Sequence, residues 1–187
     1  MISLKDFEAT GALLTGHFRL SSGLHSDRYL QCARLLMWPQ RAEKAGQELS
    51  EKLLEFSPSA IVSPALGGVI IGHETARALR VPAMFVERQA GAFALRRGFA
   101  LEPGQNVAVV EDVFTTGKST REAAAAVESA GGRVVAVGSI VDRGLPGGAF
   151  SVPARSLLSL EMPAWPGTDC PLCRGGRPID TPGSRFR

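Results

Sequence analysis

The stretch Val107-Ala-Val-Val-Glu-Asp-Val-Phe-Thr-Thr-Gly-Lys-Ser-Thr120 decides how this chain folds. Its apolar opening, Val107 to Val110, reads as a buried strand of the kind found in parallel sheets covered on both faces. Two adjacent carboxylates, Glu111 and Asp112, stand where that strand should end. Thr115 to Thr120 follows as a Gly/Thr/Ser loop, and Arg121-Glu-Ala-Ala-Ala-Ala-Val-Glu128 is an almost ideal helix former. An acidic pair at a strand's carboxyl end, beside a loop that opens a helix, can hold a phosphate and a polyhydroxylated or metal-bound group side by side.

The same alternation extends outward in both directions. Ala60-Ile-Val-Ser63 reads as a strand, Pro64 to Gly68 as a loop, Val69 to Leu79 as a helix and Pro82 to Val86 as another strand. Residues 39–55 form a strong helix, with Pro39 in its first turn and Ala42, Ala45, Leu49, Leu53 and Leu54 along one side. Arg133 to Val141 is a strand ending in Asp142-Arg143-Gly144. This pattern predicts an α/β fold, a central, mostly parallel sheet flanked by helices. Ligands bind beyond the carboxyl ends of such strands, so loops 64–68, 111–119 and 142–144 should converge on one site.

The flanks are less regular. Ile2, Leu4, Phe7, Leu13 and Leu14 give a short helical pattern ending near Gly16. Two short strands, His17 to Leu20 and Arg28 to Gln31, bracket the polar turn Ser21 to Ser26. Glu87 to Gln105 has the best claim to be mobile, with Gly91, Gly98 and Gly104 and no sustained periodicity. The tail from Pro163 is rich in Pro, Gly and Arg and reads as irregular, and His73 falls in a helix that reads as buried.

With 187 residues, 44% of them hydrophobic, the chain reads as one domain with a proper core. The net charge of +3 is dispersed without a long basic run, which argues against nucleic acid and favours an anionic small ligand. The first residues carry acids and lack the apolar core of a signal peptide. No apolar stretch approaches the roughly 18 residues of a spanning helix, which argues against a membrane partner. Three cysteines do not make a secreted disulfide framework, so a reducing cytoplasm is the expectation. Cys170-Pro-Leu-Cys173 lacks a second pair at zinc spacing, and His17, His25 and His73 show no matching arrangement around it or Cys32.

Three readings compete for the central motif. Gly117-Lys118-Ser119 matches the second half of a P-loop, but the first glycine would fall at Asp112, whose charge opposes a phosphate cradle. An ordinary strand-turn-helix would use Thr116 or Ser119 as an N-cap, yet leaves two adjacent acids at a strand end without a purpose. In the third, loop amides and hydroxyls hold a sugar 5-phosphate while Glu111 and Asp112 bind ribose hydroxyls.

Val109 to Ser119 closely resembles the signature of type I phosphoribosyltransferases: β residues, two acids, two variable positions, then Thr-x-Gly-x-Ser/Thr. The resemblance implies that Glu111, Asp112, Val113, Phe114, Thr115, Thr116, Gly117, Lys118 and Ser119 bind phosphoribosyl pyrophosphate. It makes Pro64-Ala-Leu-Gly-Gly-Val69 the pyrophosphate loop, with Gly67 and Gly68 letting amides approach the diphosphate. Gly16 to Gln31 is similar to the base-binding segment of orotate phosphoribosyltransferases, which gives Ser21, Ser22 and Gly23 to the orotate ring. There residues 1–36, with the C-terminal tail, would form a small hood within a single domain spanning 1–187. In that family an arginine after the 133–141 strand binds the orotate carboxylate, a place taken here by Arg143, and Thr115 also contacts orotate.

The resemblance further implies bound Mg²⁺, held mainly through the substrate and water with no direct protein ligand. It also implies a homodimer whose flexible loop, residues 87–98 here, reaches the partner's site. Family members carry lysines in that loop, whereas this chain has Arg88, Arg96 and Arg97. Arg88 is the expected catalytic contact to the pyrophosphate beside Glu111 and Asp112. The Cys-Pro-Leu-Cys ending is shared with longer bacterial members and reads as a mark of lineage. Two rivals remain. A purine or xanthine salvage enzyme would lack the Ser-Ser-Gly turn and the carboxylate-binding arginine, and a nucleic-acid-binding regulator on the same fold would need a basic face.

Overall fold

In a computed structural model of the chain, residues 1–20 and 22–182 are described. In chain order the elements are α1 (Leu4–Ala9), β1 (Leu13–Arg19), β2 (His25–Leu30), α2 (Ala33–Leu36) and α3 (Pro39–Leu53). There follow β3 (Ala60–Pro64), α4 (Gly67–Leu79), β4 (Ala83–Gln89), β5 (Ala92–Leu95) and β6 (Asn106–Phe114). The chain continues through α5 (Lys118–Ser129), β7 (Arg133–Asp142), β8 (Ala154–Ser159) and α6 (Pro171–Arg174). Two compact units result: Met1–Ile2 with Leu36–Leu160, and Ser3–Leu35 with Glu161–Arg187.

The larger unit is a six-stranded sheet in the order β5-β4-β3-β6-β7-β8, parallel except for β5. Side-chain alternation along each strand distributes the core to two faces. Ala60 and Val62 join Val107, Val109 and Val137 against Ala123 and Val127 of α5. Their neighbours face the other way: Ser63 and Ile61 meet α4 at Gly72, and Gly138 lies under Leu49 and Leu53 of α3. Glycine also sets the spacing of α3 on α4, since a Cβ on Gly46 would lie 2.6 Å from the backbone carbonyl carbon of Glu74.

Several elements differ from their sequence reading. The strand β6 does not stop before the acids; it runs through Glu111 and Asp112 to Phe114, because β7 pairs with it as far as Phe114↔Asp142. Residues 87–95, expected to be irregular, continue β4 and turn back as β5. The turn is Ala90-Gly91, both at positive φ, the geometry of a two-residue hairpin loop. The strand β8 lacks clean alternation and has no counterpart in the sequence pattern. His73 is exposed rather than buried.

In the smaller unit α1 is closed by Ser3, whose amide donates to the Asp6 carboxylate at 3.0 Å. The helix ends at Ala9, so Leu13 and Leu14, expected to prolong it, lie instead in β1. β1 and β2 form an antiparallel hairpin with a bulge between Thr15 and Phe18. Chain from the tail lies along it: Trp165 exchanges both backbone hydrogen bonds with His25, and Asp180 bridges His17 and Arg19. Residues 163–182 are therefore more regular than their composition implies, and they contain the short helix α6.

Candidate active site

Because β3, β6 and β7 are parallel, their carboxyl ends lie at one edge of the sheet, and the three expected loops meet there. A Cβ on Gly67, the first residue of α4, would lie 2.9 Å from the Asp112 carboxylate. One on Gly68 would lie 2.8 Å from the Val110 carbonyl oxygen. Only glycine lets this first helical turn come so close to β6. The Ala65–Leu66 peptide just before it is cis. On the other side, the Arg143 amide donates to the Phe114 carbonyl at 3.0 Å. Asp142 accepts from the amides of Gly144 and Leu145, each at 2.9 Å, and so shapes the loop that carries Arg143.

The two acids are sequence neighbours that part in space. As consecutive strand residues they leave opposite faces of β6. Glu111 accepts a short hydrogen bond from the hydroxyl of Thr120, which is buried on α5. Asp112 lies against Gly67 of α4, and its Oδ1 accepts from the Val113 amide at 2.9 Å. Burial pushes Glu111 up to about 7, the Thr120 hydrogen bond opposing the rise and the Asp112 charge adding to it. Asp112 is also raised, again by burial, with the Val113 amide opposing. Thr120 is the site residue that sequence reading missed; strand alternation is the signal that would have found it.

The loop after β6 is built on Gly117, at φ +70°, which precedes the first residue of α5. A Cβ there would lie 2.9 Å from Nη1 of Arg121 and 3.0 Å from the Phe150 ring. Neither Thr116 nor Ser119 occupies the N-cap position; Thr116 Oγ1 instead accepts from the Lys118 amide at 3.3 Å. Thr115, Thr116 and Lys118 are exposed, Ser119 and Val113 half-buried. Phe114 is fully buried, its ring 5.0 Å from that of Phe150, so its side chain serves the core.

Arg88 does not join this group. Its guanidinium pairs with Glu122 of α5 at 2.5 Å, donates to the Gly91 carbonyl and lies over the Phe93 ring. Arg97 is likewise paired, with Glu87 at 2.8 Å. Ser22 and Gly23 belong to the smaller unit, in an exposed turn where the Gly23 amide donates to the Leu20 carbonyl. Ser21 lies outside the described residues.

A parallel-sheet edge carrying an acidic pair, a glycine-built helix start and a Gly/Thr/Ser loop suits a phosphorylated sugar, and relatives agree. Residues 33–166 match the family model "Phosphoribosyl transferase domain". An orotate phosphoribosyltransferase of Rhizorhabdus wittichii is 51% identical over 185 residues, covering 97% of this chain and 94% of its own. That of Thermotoga maritima is 49% identical over 178 residues, 95% of each chain. The solved Mycobacterium tuberculosis H37Rv orotate phosphoribosyltransferase in complex with 5-phospho-alpha-D-ribosyl 1-diphosphate superposes with a TM-score of 0.65. It is 25% identical, across 83% of this chain and 93% of that one. With Glu111-Asp112 and the Thr115 to Ser119 loop in that setting, the chain belongs to the orotate phosphoribosyltransferases of the phosphoribosyl transferase family.

Proposed function

We propose that this chain transfers the 5-phosphoribosyl group of phosphoribosyl pyrophosphate to N1 of orotate, making orotidine 5′-phosphate for pyrimidine synthesis. The observation that carries this reading is the meeting of Gly67, Asp112 and the Arg143 loop at one sheet edge. The anomeric C–O bond to the diphosphate breaks as the C–N1 bond forms, through an oxocarbenium-like state, with orotate entering deprotonated at N1 and pyrophosphate leaving with the C–O electron pair. Amides of the Thr115 to Ser119 loop, at the positive end of α5, hold the 5-phosphate. Gly67 and Gly68 bring the amides of the α4 start to the diphosphate. Asp112 and Glu111 take the ribose hydroxyls, whose developing ring charge favours nearby carboxylates. Arg143 pairs with the orotate carboxylate and Thr115 contacts the ring.

The site suits Mg²⁺, since Asp112 offers hard oxygens opposite a position, Gly67, where no side chain intrudes. Asp112 and Glu111 would hold the ion through ribose hydroxyls and water, and the ion would neutralise charge on the diphosphate. We infer further that two chains act as a homodimer in the cytoplasm and that Arg88, released from Glu122, serves the partner's diphosphate. No helix among the described residues is long and apolar enough to cross a membrane. Incubation with phosphoribosyl pyrophosphate, Mg²⁺ and orotate should release pyrophosphate and form orotidine 5′-phosphate. Pyrophosphate release that requires a purine base instead would overturn the reading.

A further inference from the structure

His17, His25, Cys170 and Cys173 meet in the smaller unit, although the two pairs stand at opposite ends of the chain. Their ligand atoms all lie within 4.8 Å of one another. His17 Nε2 is 3.1 Å from His25 Nδ1, 3.5 Å from the Cys170 Sγ and 3.7 Å from the Cys173 Sγ. Cys173 Sγ is 3.3 Å from His25 Nδ1. For a tetrahedral Zn²⁺ with ordinary Zn–N and Zn–S bonds, the edges are about 3.3 Å for N···N and about 3.6 Å for N···S. These four separations fall around those values.

We propose that these four side chains form a Zn²⁺ site of His₂Cys₂ type, which fastens the C-terminal Cys-Pro-Leu-Cys turn to the β1–β2 hairpin. The surroundings suit a built site. Nδ1–H of His17 donates to the Arg177 carbonyl at 2.8 Å, which fixes the tautomer that leaves the Nε2 lone pair for a metal. Cys170 and His17 are buried, so the site is closed on that side, as structural zinc sites are. The turn is shaped for two ligands: Cys170 precedes α6, the Arg174 amide returns to the Cys170 carbonyl, and the Gly176 amide returns to that of Cys173. Two imidazoles and two thiols select Zn²⁺ over the oxygen-seeking Mg²⁺.

Zn²⁺ binding here is independent of which base the active site accepts. The test uses the full chain, purified without chelator, with metal content read by mass spectrometry. About one Zn²⁺ per chain is expected, and Co²⁺ loaded in its place should give the absorption of a tetrahedral thiolate complex. Cys173→Ser, at an exposed position, should weaken Zn²⁺ at least about a hundredfold, since even an outer partner of a ligand is worth ten- to a hundredfold. A chelator should lower the melting temperature of the wild type and leave that of Cys173→Ser unchanged. Asp112→Asn should keep its zinc, which separates this site from the active site. Reduced protein that takes up no Zn²⁺ or Co²⁺, a Cys170–Cys173 disulfide in the protein as isolated, or Cys173→Ser binding as tightly as wild type would each overturn the proposal.

Discussion

Glu111 titrates near neutrality because burial penalises its charge, its folded value of about 7 standing above the ordinary 4.5. In the unliganded chain the proton therefore stabilises the fold, fully below about pH 4.5, and that stabilisation is lost as pH rises through about 7. Glu111→Gln should accordingly melt higher than wild type at about pH 8 and match it at about pH 4. Equal pH dependence of the two melting temperatures would contradict the burial argument. Arg143 offers a second test. Removing a charge-assisted pair to the orotate carboxylate should raise the orotate KM about ten- to a hundredfold in Arg143→Ala, with kcat nearly kept. An unchanged KM would remove Arg143 from the base pocket. The acids and the arginine were legible as residue types in a motif. Their orientation was not, because the motif looks like a loop after a strand, whereas pairing with β7 keeps residues 111–114 extended and sends the two acids to opposite faces.

Strands with dense Val and Ala, such as β3, β6 and β7, announced themselves because both their faces are covered. The hairpin of β4 and β5 did not, since Ala90 holds a positive φ where the expected signal is Asn or Gly. The edge strand β8 was hidden for a related reason: its four central residues are all half-buried, so it shows no alternation. Helix packing carries its own prediction. Gly46→Ala would force a methyl against the Glu74 backbone and should cost about 1–3 kcal/mol in a denaturant titration, with activity retained in the folded fraction. A neutral substitution would mean that α3 and α4 can slide apart.

For the whole molecule, the family relation settles the fold. Arg88 is committed to Glu122 and Gly91 rather than to its own acid pair, and the proposed dimer has it act in the second copy. Mixing equal amounts of inactive Arg88→Ala and inactive Asp112→Asn should restore activity, toward about a quarter of wild type if the chains exchange freely and each mixed dimer regains one of its two sites. No recovery after proven exchange would place Arg88 in its own site or in none. The zinc cluster was illegible in sequence because ligands from the two ends meet only through the fold, beyond any spacing rule. At fixed phosphoribosyl pyrophosphate and Mg²⁺, kcat/KM should be measured for orotate, hypoxanthine and xanthine side by side. Turnover of orotate should exceed that of either purine by at least about a thousandfold, as expected when a site built for a carboxylate meets a base without one. Comparable or faster turnover of a purine would contradict it.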